Sequence, residues 1–168
     1  MTPMLLPRIL AIALALACHA GAGEVFWTNN FGGIYSEPLN WSAGVPGSAD
    51  TASFTNSSQF PVLFTNAAEL HTARFFRGVV TQDIGAALWV VTNRWQVGEA
   101  TGEAAKVVHT SGVLAVTNAG RSAILEVGRI GTGELDIRGG NIVADVLLAT
   151  NLARSKLNHS HGSLTFLN

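Results

Sequence analysis

The chain has 168 residues, of which 48% are hydrophobic and only 12% charged, with a formal net charge of −1, a mean hydropathy of +0.31 and a single cysteine. So neutral a balance excludes the basic field that draws nucleic acid, and one cysteine excludes a disulfide framework. The remainder, rich in Gly, Ala, Val, Thr and Asn, reads as a charge-poor secreted all-β scaffold with no cofactor motif.

The first segment has the order of a secretory signal peptide: Arg8, an apolar run from Ile9 to Ala17, then small residues up to Ala22. The run is too short to remain as a membrane span. Residues 1–22 are therefore expected to be removed, leaving Gly23 as the new start and no cysteine. Lipidation of Cys18 is the alternative, although Ala15 stands where a bacterial lipobox prefers Leu. Loss of Arg8 from the 10 basic residues leaves nine against 11 acidic ones, a balance of −2. The expected location is secreted or on the outer cell surface.

Residues 23–59 have a texture of their own. Trp27, Phe31, Tyr35 and Trp41 stand among Asn29-Asn30, Gly32-Gly33, Pro38, Gly44 and Pro46-Gly47, which predicts short strands and tight turns whose rings cap one end of the domain. Residues 60–168 then read as a repeat region. Apolar runs at 60–66, 74–80 and 87–93 are strands, each closing on a polar or Gly turn. Thr-Asn pairs recur at 65–66, 92–93, 117–118 and 150–151, as corners built on residues that tolerate a left-handed backbone would.

The clearest internal copy aligns Val97-Gly98, Thr101-Gly102-Glu103 and 111–116 with Val127-Gly128, Thr132-Gly133-Glu134 and 139–144; a degenerate third runs from Leu147 to Phe166. Its glycine anchors stand 28 and then 22 residues apart, within the range of solenoid turns with loop insertions. Period-2 alternation between glycine corners predicts short strands, and residues 99–108 are expected as loop and strand because Gly102 interrupts the helical stripe, with a short helix as the alternative. The predicted fold is an all-β, right-handed parallel β-helix with an aromatic-rich N-terminal cap. The last residues, Gly162 to Asn168, look like a strand without a cap, so a short member of a longer repeat family, or pairing of the open C-terminal end with another chain, is expected.

Trp27, Asn40-Trp41-Ser42, Gly44, Pro46-Gly47, Asp50, Ala52 and Phe54, with the Gly-rich repeats downstream, resemble bacterial secreted β-helical proteins of the autotransporter-passenger-like and PEP-CTERM-associated β-strand-repeat type. The resemblance implies a surface or secreted scaffold. It implies no particular activity.

Candidate chemistry is sparse. Glu134, Asp136 and Arg138 alternate with Leu135 and Ile137 and so project from one face of a strand, as an acidic row and a basic proton acceptor would in a polysaccharide lyase; the other reading is a solvated ion pair. Glu126 and Asp145 are possible additions. Trp27, Trp41, Trp89 and Trp95 could stack on sugar rings or fill the cap and core. His159 and His161 could clip a metal, but no third ligand of recognisable spacing accompanies them. The glycines around Gly131 fail the calcium-repeat register, and no nucleophile elbow or phosphate loop occurs. Asn-x-Ser sequons at Asn40, Asn56 and Asn158 mean little in a bacterial protein. Two functions follow: a structural or adhesive surface module without catalysis, or a carbohydrate-binding or carbohydrate-cleaving β-helix acting on an extracellular polysaccharide.

Overall fold

The structure, a computed structural model, describes residues 22–151 and 153–167; the expected signal segment up to residue 21, with Cys18, lies outside them. The chain winds into a parallel β-solenoid of about six turns. Its strands are β1 Glu24–Phe26, β2 Gly33–Ile34, β3 Thr51–Phe54, β4 Gln59–Leu63, β5 Ala68–Phe75, β6 Arg77–Val97, β7 Ala104–Val116, β8 Ile124–Val127, β9 Thr132–Ile137, β10 Asn141–Ala144, β11 Val146–Leu148, β12 Lys156–His159 and β13 Ser163–Phe166. All pairings between them are parallel.

The rungs fall on three faces. Face A stacks β1, β3, 72–75, 94–97, β8 and β11. Face B stacks β2, β4, 79–83, 104–109, β9 and β12. Face C stacks 68–70, 89–91, 113–116, β10 and β13. On face A, Glu24 aligns with Thr51, then Thr72, Arg94, Ile124 and Val146, so successive coils advance by 27, 21, 22, 30 and 22 residues. The long step comes from loops 98–103 and 117–123. On face C, Val113 aligns with Asn141 and Asn141 with Ser163, which reproduces the 28- and 22-residue glycine spacing.

Several local expectations change. The run 74–80 is not one strand: it turns a corner at Phe76, with 72–75 on face A and 77 onward on face B. The apolar run continues through the corner because Phe76 is outside the core, so hydropathy alone does not mark the bend. In the aligned copies, Glu134 stands beside Lys106 and not Glu103, because loop 98–103 shifts the register by three residues. The Thr-Asn corners are not left-handed either: among the described residues Arg121, at φ 51°, is the sole non-glycine with positive φ. Their asparagines act through the side chain, Asn93 Nδ2 donating to Thr72 Oγ1 at 3.1 Å, Asn118 Nδ2 to Thr92 O at 2.9 Å and Asn151 Nδ2 to Gly131 O at 2.8 Å. Such amides tie one corner to another without the cost of an αL residue.

The left-handed bends belong to glycine. At the B-to-C corner Gly85, Gly112, Gly140 and Gly162, all of positive φ, follow three residues after Gln82, His109, Ile137 and His159, which share one column of face B. At Gly112, φ +73°, an added Cβ would lie 2.6 Å from Ile84 Cβ.

Residues 24–50 form the first coil and close it. The chain crosses back over β1, where Phe26 N donates to Ser42 Oγ at 3.0 Å, Ser42 N to Phe26 O at 2.9 Å and Thr28 N to Asn40 O at 2.9 Å. Trp27 and Trp41 bridge antiparallel, so the outer edge of β1 is blocked to a further parallel strand. The upper interior is aromatic: Tyr35 stacks on Phe64 at 4.6 Å, Phe54 on Phe75 at 4.7 Å, and Phe75 meets Trp95 at 5.0 Å. Lower coils are filled by Leu114, Leu125, Leu135, Ile137 and Ile142, all fully buried. Each such side chain contributes about 1.5–3 kcal/mol by burial. In the last coil Leu147, Leu157 and Leu164 are only partly buried.

One interior column is polar on two adjacent rungs before it turns apolar at Ile137. Gln82 and His109 sit on adjacent rungs at 1% and 0% exposure, and burial pushes the His109 imidazole down from 6.5 to about 4. The unfolded chain therefore takes up a proton that the fold refuses, and stability that is full above pH 6.5 falls as the pH drops toward 4, by on the order of 3 kcal/mol. His109→Gln, matching the residue one rung above, should flatten this part of the profile; urea unfolding at pH 7 and pH 5 of both proteins checks it. Gly112→Ala is expected to cost about 2–4 kcal/mol through left-handed strain and overlap with Ile84. Gly102→Ala, at φ +84° with nothing within 4 Å of the added Cβ, should cost about 1 kcal/mol, read from the same urea curves.

Candidate functional site

The outward side of face B gathers the charge. In β9 the inward positions are the fully buried Leu135 and Ile137, which turns Glu134 and Asp136 outward, with Arg138 just past the strand. Rung alignment places Lys106 of the coil above beside Glu134, and Asn158 of the coil below beside Asp136. Lys106 Nζ lies 2.6 Å from Glu134 Oε1 and 3.5 Å from Asp136 Oδ2. Arg138 donates to Asp136 Oδ2 from Nε at 2.9 Å and Nη2 at 2.8 Å, and Asn158 Nδ2 donates to Glu134 Oε1 at 3.1 Å.

Asp136 and Lys106 are held in their charged forms. The hydrogen bond from Arg138 keeps the Asp136 carboxyl below its ordinary value, aided by Lys106, and the bond to Glu134 raises the Lys106 ammonium above its own. Lys106 at neutral pH is thus a donor and a cation, not a proton acceptor. Asp136, held ionised at an even lower pH, is too weak a base for abstracting a carbon-bound proton. The cluster can bind polar groups.

Beside it runs an open groove of about 490 Å³, lined by Arg77, Gly78, Val79, Ala104, Lys106 and Glu134 among others. Gly78, Ala104 and Ala105 keep its floor low, and the exposed Arg77 stands on the rim with no ion pair among the described residues. Outward charges of neighbouring coils therefore do converge on one groove.

The other candidates separate. Trp27, Trp41, Trp89 and Trp95 are 1%, 5%, 0% and 0% exposed, so a sugar-stacking role is corrected: their rings fill the interior and offer no face to a ligand. On β6 Trp95 alternates with Arg94 and Gln96, and Trp89 with Leu88 and Val90, so both take the inward parity of the strand. Asp145 is buried and structural, its Oδ2 accepting from Asn118 N at 2.9 Å and Ala123 N at 3.2 Å, which anchors loop 117–123. Asp50 does the same at the equivalent corner of the first coil, accepting from Gly23 N at 2.9 Å and Gly47 N at 2.8 Å. His159 and His161 are exposed, His159 Nε2 sits 3.1 Å from Gly162 O, and no cluster of metal ligands occurs among the described residues.

Glu126 belongs to a second network, on face A. Its fully buried carboxylate accepts from Gln96 Nε2 at 2.8 Å and Arg94 Nη1 at 3.3 Å, with Arg129 Nε at 4.0 Å. Arg129 reaches Glu99 at 3.6 Å, Glu99 pairs with Arg74 at 3.0 Å, and Arg74 with Glu24 at 3.6 Å. The chain of three carboxylates and three guanidinium groups spans the first five coils. Sequence reasoning missed it because its members recur at unequal coil lengths; aligning Gln96 with Glu126 across the 30-residue step is the signal that finds it.

Asp136→Asn should lower stability by about 1 kcal/mol at neutral pH, since it removes one carboxylate from between two cations that remain partly solvated. Asp136 has a depressed native pKa, so its contribution is present above the ordinary value of 3.8 and is lost as the pH falls through the lower native value. The gap between the two proteins in urea should therefore close on acidification. No known protein family matches the chain, and no similar protein is found among curated proteins or solved structures.

Proposed function

We propose that the chain is a secreted or cell-surface structural and adhesive module, without catalytic activity, that presents a stiff solenoid outside the cell. One observation carries this reading: the outward ion pairs tie coil to coil. Lys106, Glu134 and Asn158 link three successive coils on face B, and the Glu24 to Glu126 network on face A joins groups of the first, third, fourth and fifth coils. Charges arranged in this way resist bending and shear of the stack. The signal-peptide order at the N-terminus and the resemblance to autotransporter-passenger-like and PEP-CTERM-associated repeat proteins support an extracellular setting.

A second reading, binding of an extracellular polysaccharide, is favoured by the groove with Arg77 and Lys106 along its side. A polysaccharide array, run with and without calcium and followed by assay for unsaturated sugar products, separates the two. The scaffold reading expects neither retention in the groove nor products. Retention abolished by Arg77→Ala and Lys106→Ala would favour the second reading, and released products would overturn the non-catalytic one. Expression in a bacterial host with the native leader should yield an exported chain starting at Gly23; an uncleaved cytosolic chain would remove the extracellular setting.

A further inference from the structure

We propose that a cavity between the first and second coils binds a small amino sugar, its free ammonium group held by Glu69. The cavity has a volume of about 210 Å³. It lies where Tyr35 and Ser36 follow β2 and residues 65–67 turn from face B to face C, with Val45 and Pro46 of the returning chain completing the lining. Sites that take drug-sized ligands measure roughly 300–1,000 Å³, so this one admits a single ring and not a chain segment.

The lining is polar on one side. Ser36 Oγ and Thr65 Oγ1 stand 3.4 Å apart, and Asn66 Nδ2 lies 3.5 Å from the same Thr65 oxygen. Contacts at this long limit of hydrogen bonding leave all three groups able to serve the hydroxyls of a ligand. Glu69 is exposed on β5, next to the fully buried Leu70, and makes no ion pair among the described residues. The first two coils supply no cation to neutralise it: residues 22–73 contain no Lys or Arg, and Arg74 is taken by Glu24 and Glu99. Burial pushes the Tyr35 phenol well above its ordinary value and the charge of Asp50 adds to the effect, so a second carboxylate acts on the same lining.

This potential fixes the sign of the occupant. A neutral sugar leaves Glu69 unpaired. An amino acid or sugar acid brings a carboxylate against Glu69 with no Lys or Arg in the lining to receive it. A bare alkylammonium leaves Ser36, Thr65 and Asn66 without a partner on the ligand. An amino sugar meets every group: its ammonium pairs with Glu69, its hydroxyls with the three polar side chains, and the apolar face of its ring rests on Val45 and Pro46. The cavity shares no residue with the groove on face B, so the site goes beyond the scaffold reading and is independent of the polysaccharide one.

Calorimetric titration of the full chain with glucosamine, glucose, N-acetylglucosamine and methylammonium tests the assignment. Glucosamine should bind about tenfold or more tighter than glucose and N-acetylglucosamine, which lack the charge, and than methylammonium, which lacks the hydroxyls. Glu69→Gln should abolish the preference for the charged sugar. Ser36→Ala with Thr65→Val should weaken glucosamine binding and leave that of methylammonium unchanged. All three sites are exposed, and circular dichroism checks that the variants fold. Arg77→Ala, in the groove, should change nothing. Equal binding of glucosamine and its neutral analogues, methylammonium bound as tightly as glucosamine, binding indifferent to Glu69→Gln or lost with Arg77→Ala, or no binding of any probe at millimolar concentration would overturn the proposal. None of these results decides the scaffold reading, whose tests are export and retention in the groove.

Discussion

A single coil of this chain cannot bury its own apolar side chains; only the parallel hydrogen bonds to the coils above and below, about 4.8 Å away, turn twenty-odd residues into a closed layer. Everything else in the molecule answers to that requirement. Inward columns must hold side chains that stack on their own kind, as Leu125, Leu135 and Ile142 do. Corners must repeat in register, which is why the glycines at the B-to-C bend align over four coils. The longer insertions, 98–103 and 117–123, sit at the other two corners and leave the ladders intact, while the B-to-C corner differs by two residues between Gln82–Trp89 and His109–Leu114.

The same requirement organises the polar groups. A carboxylate or guanidinium on an outward column has its closest partners on the adjacent rungs, and the fold uses them: Glu134 with Lys106, Glu126 with Gln96 and Arg94. Buried carboxylates at the C-to-A corner, Asp50 and Asp145, collect backbone N–H groups that the bend would otherwise leave without acceptors. Face B has a groove next to its ion pairs, and there a ligand would find both donors and room.

Much of the architecture was legible in the residues. Alternation around Leu135 and Ile137 and the spacing of Gly112, Gly140 and Gly162 are local properties, and each translates directly into rungs and corners. The partner of Glu134 was not legible: a three-residue shift in loop 98–103 hides Lys106 behind the more similar Glu103. Nor was the corner at Phe76, where an apolar run passes through a bend, or the direction of the tryptophans, which depends on which parity of a strand faces inward. Stacking between coils is a contact between residues 21 to 30 apart at unequal intervals, and no fixed period reveals it.

The interior grades from aromatic rings in the upper coils to aliphatic groups below and to half-closed leucines in the last. In a quasi-one-dimensional stack, where each layer is stabilised by its neighbours, such a gradient sets a direction for folding. Cohesion between layers therefore differs along the axis, aromatic contacts holding the upper coils and aliphatic ones the lower. The aromatic coils are also the ones synthesised first, so a chain emerging residue by residue can complete each layer on a surface already built.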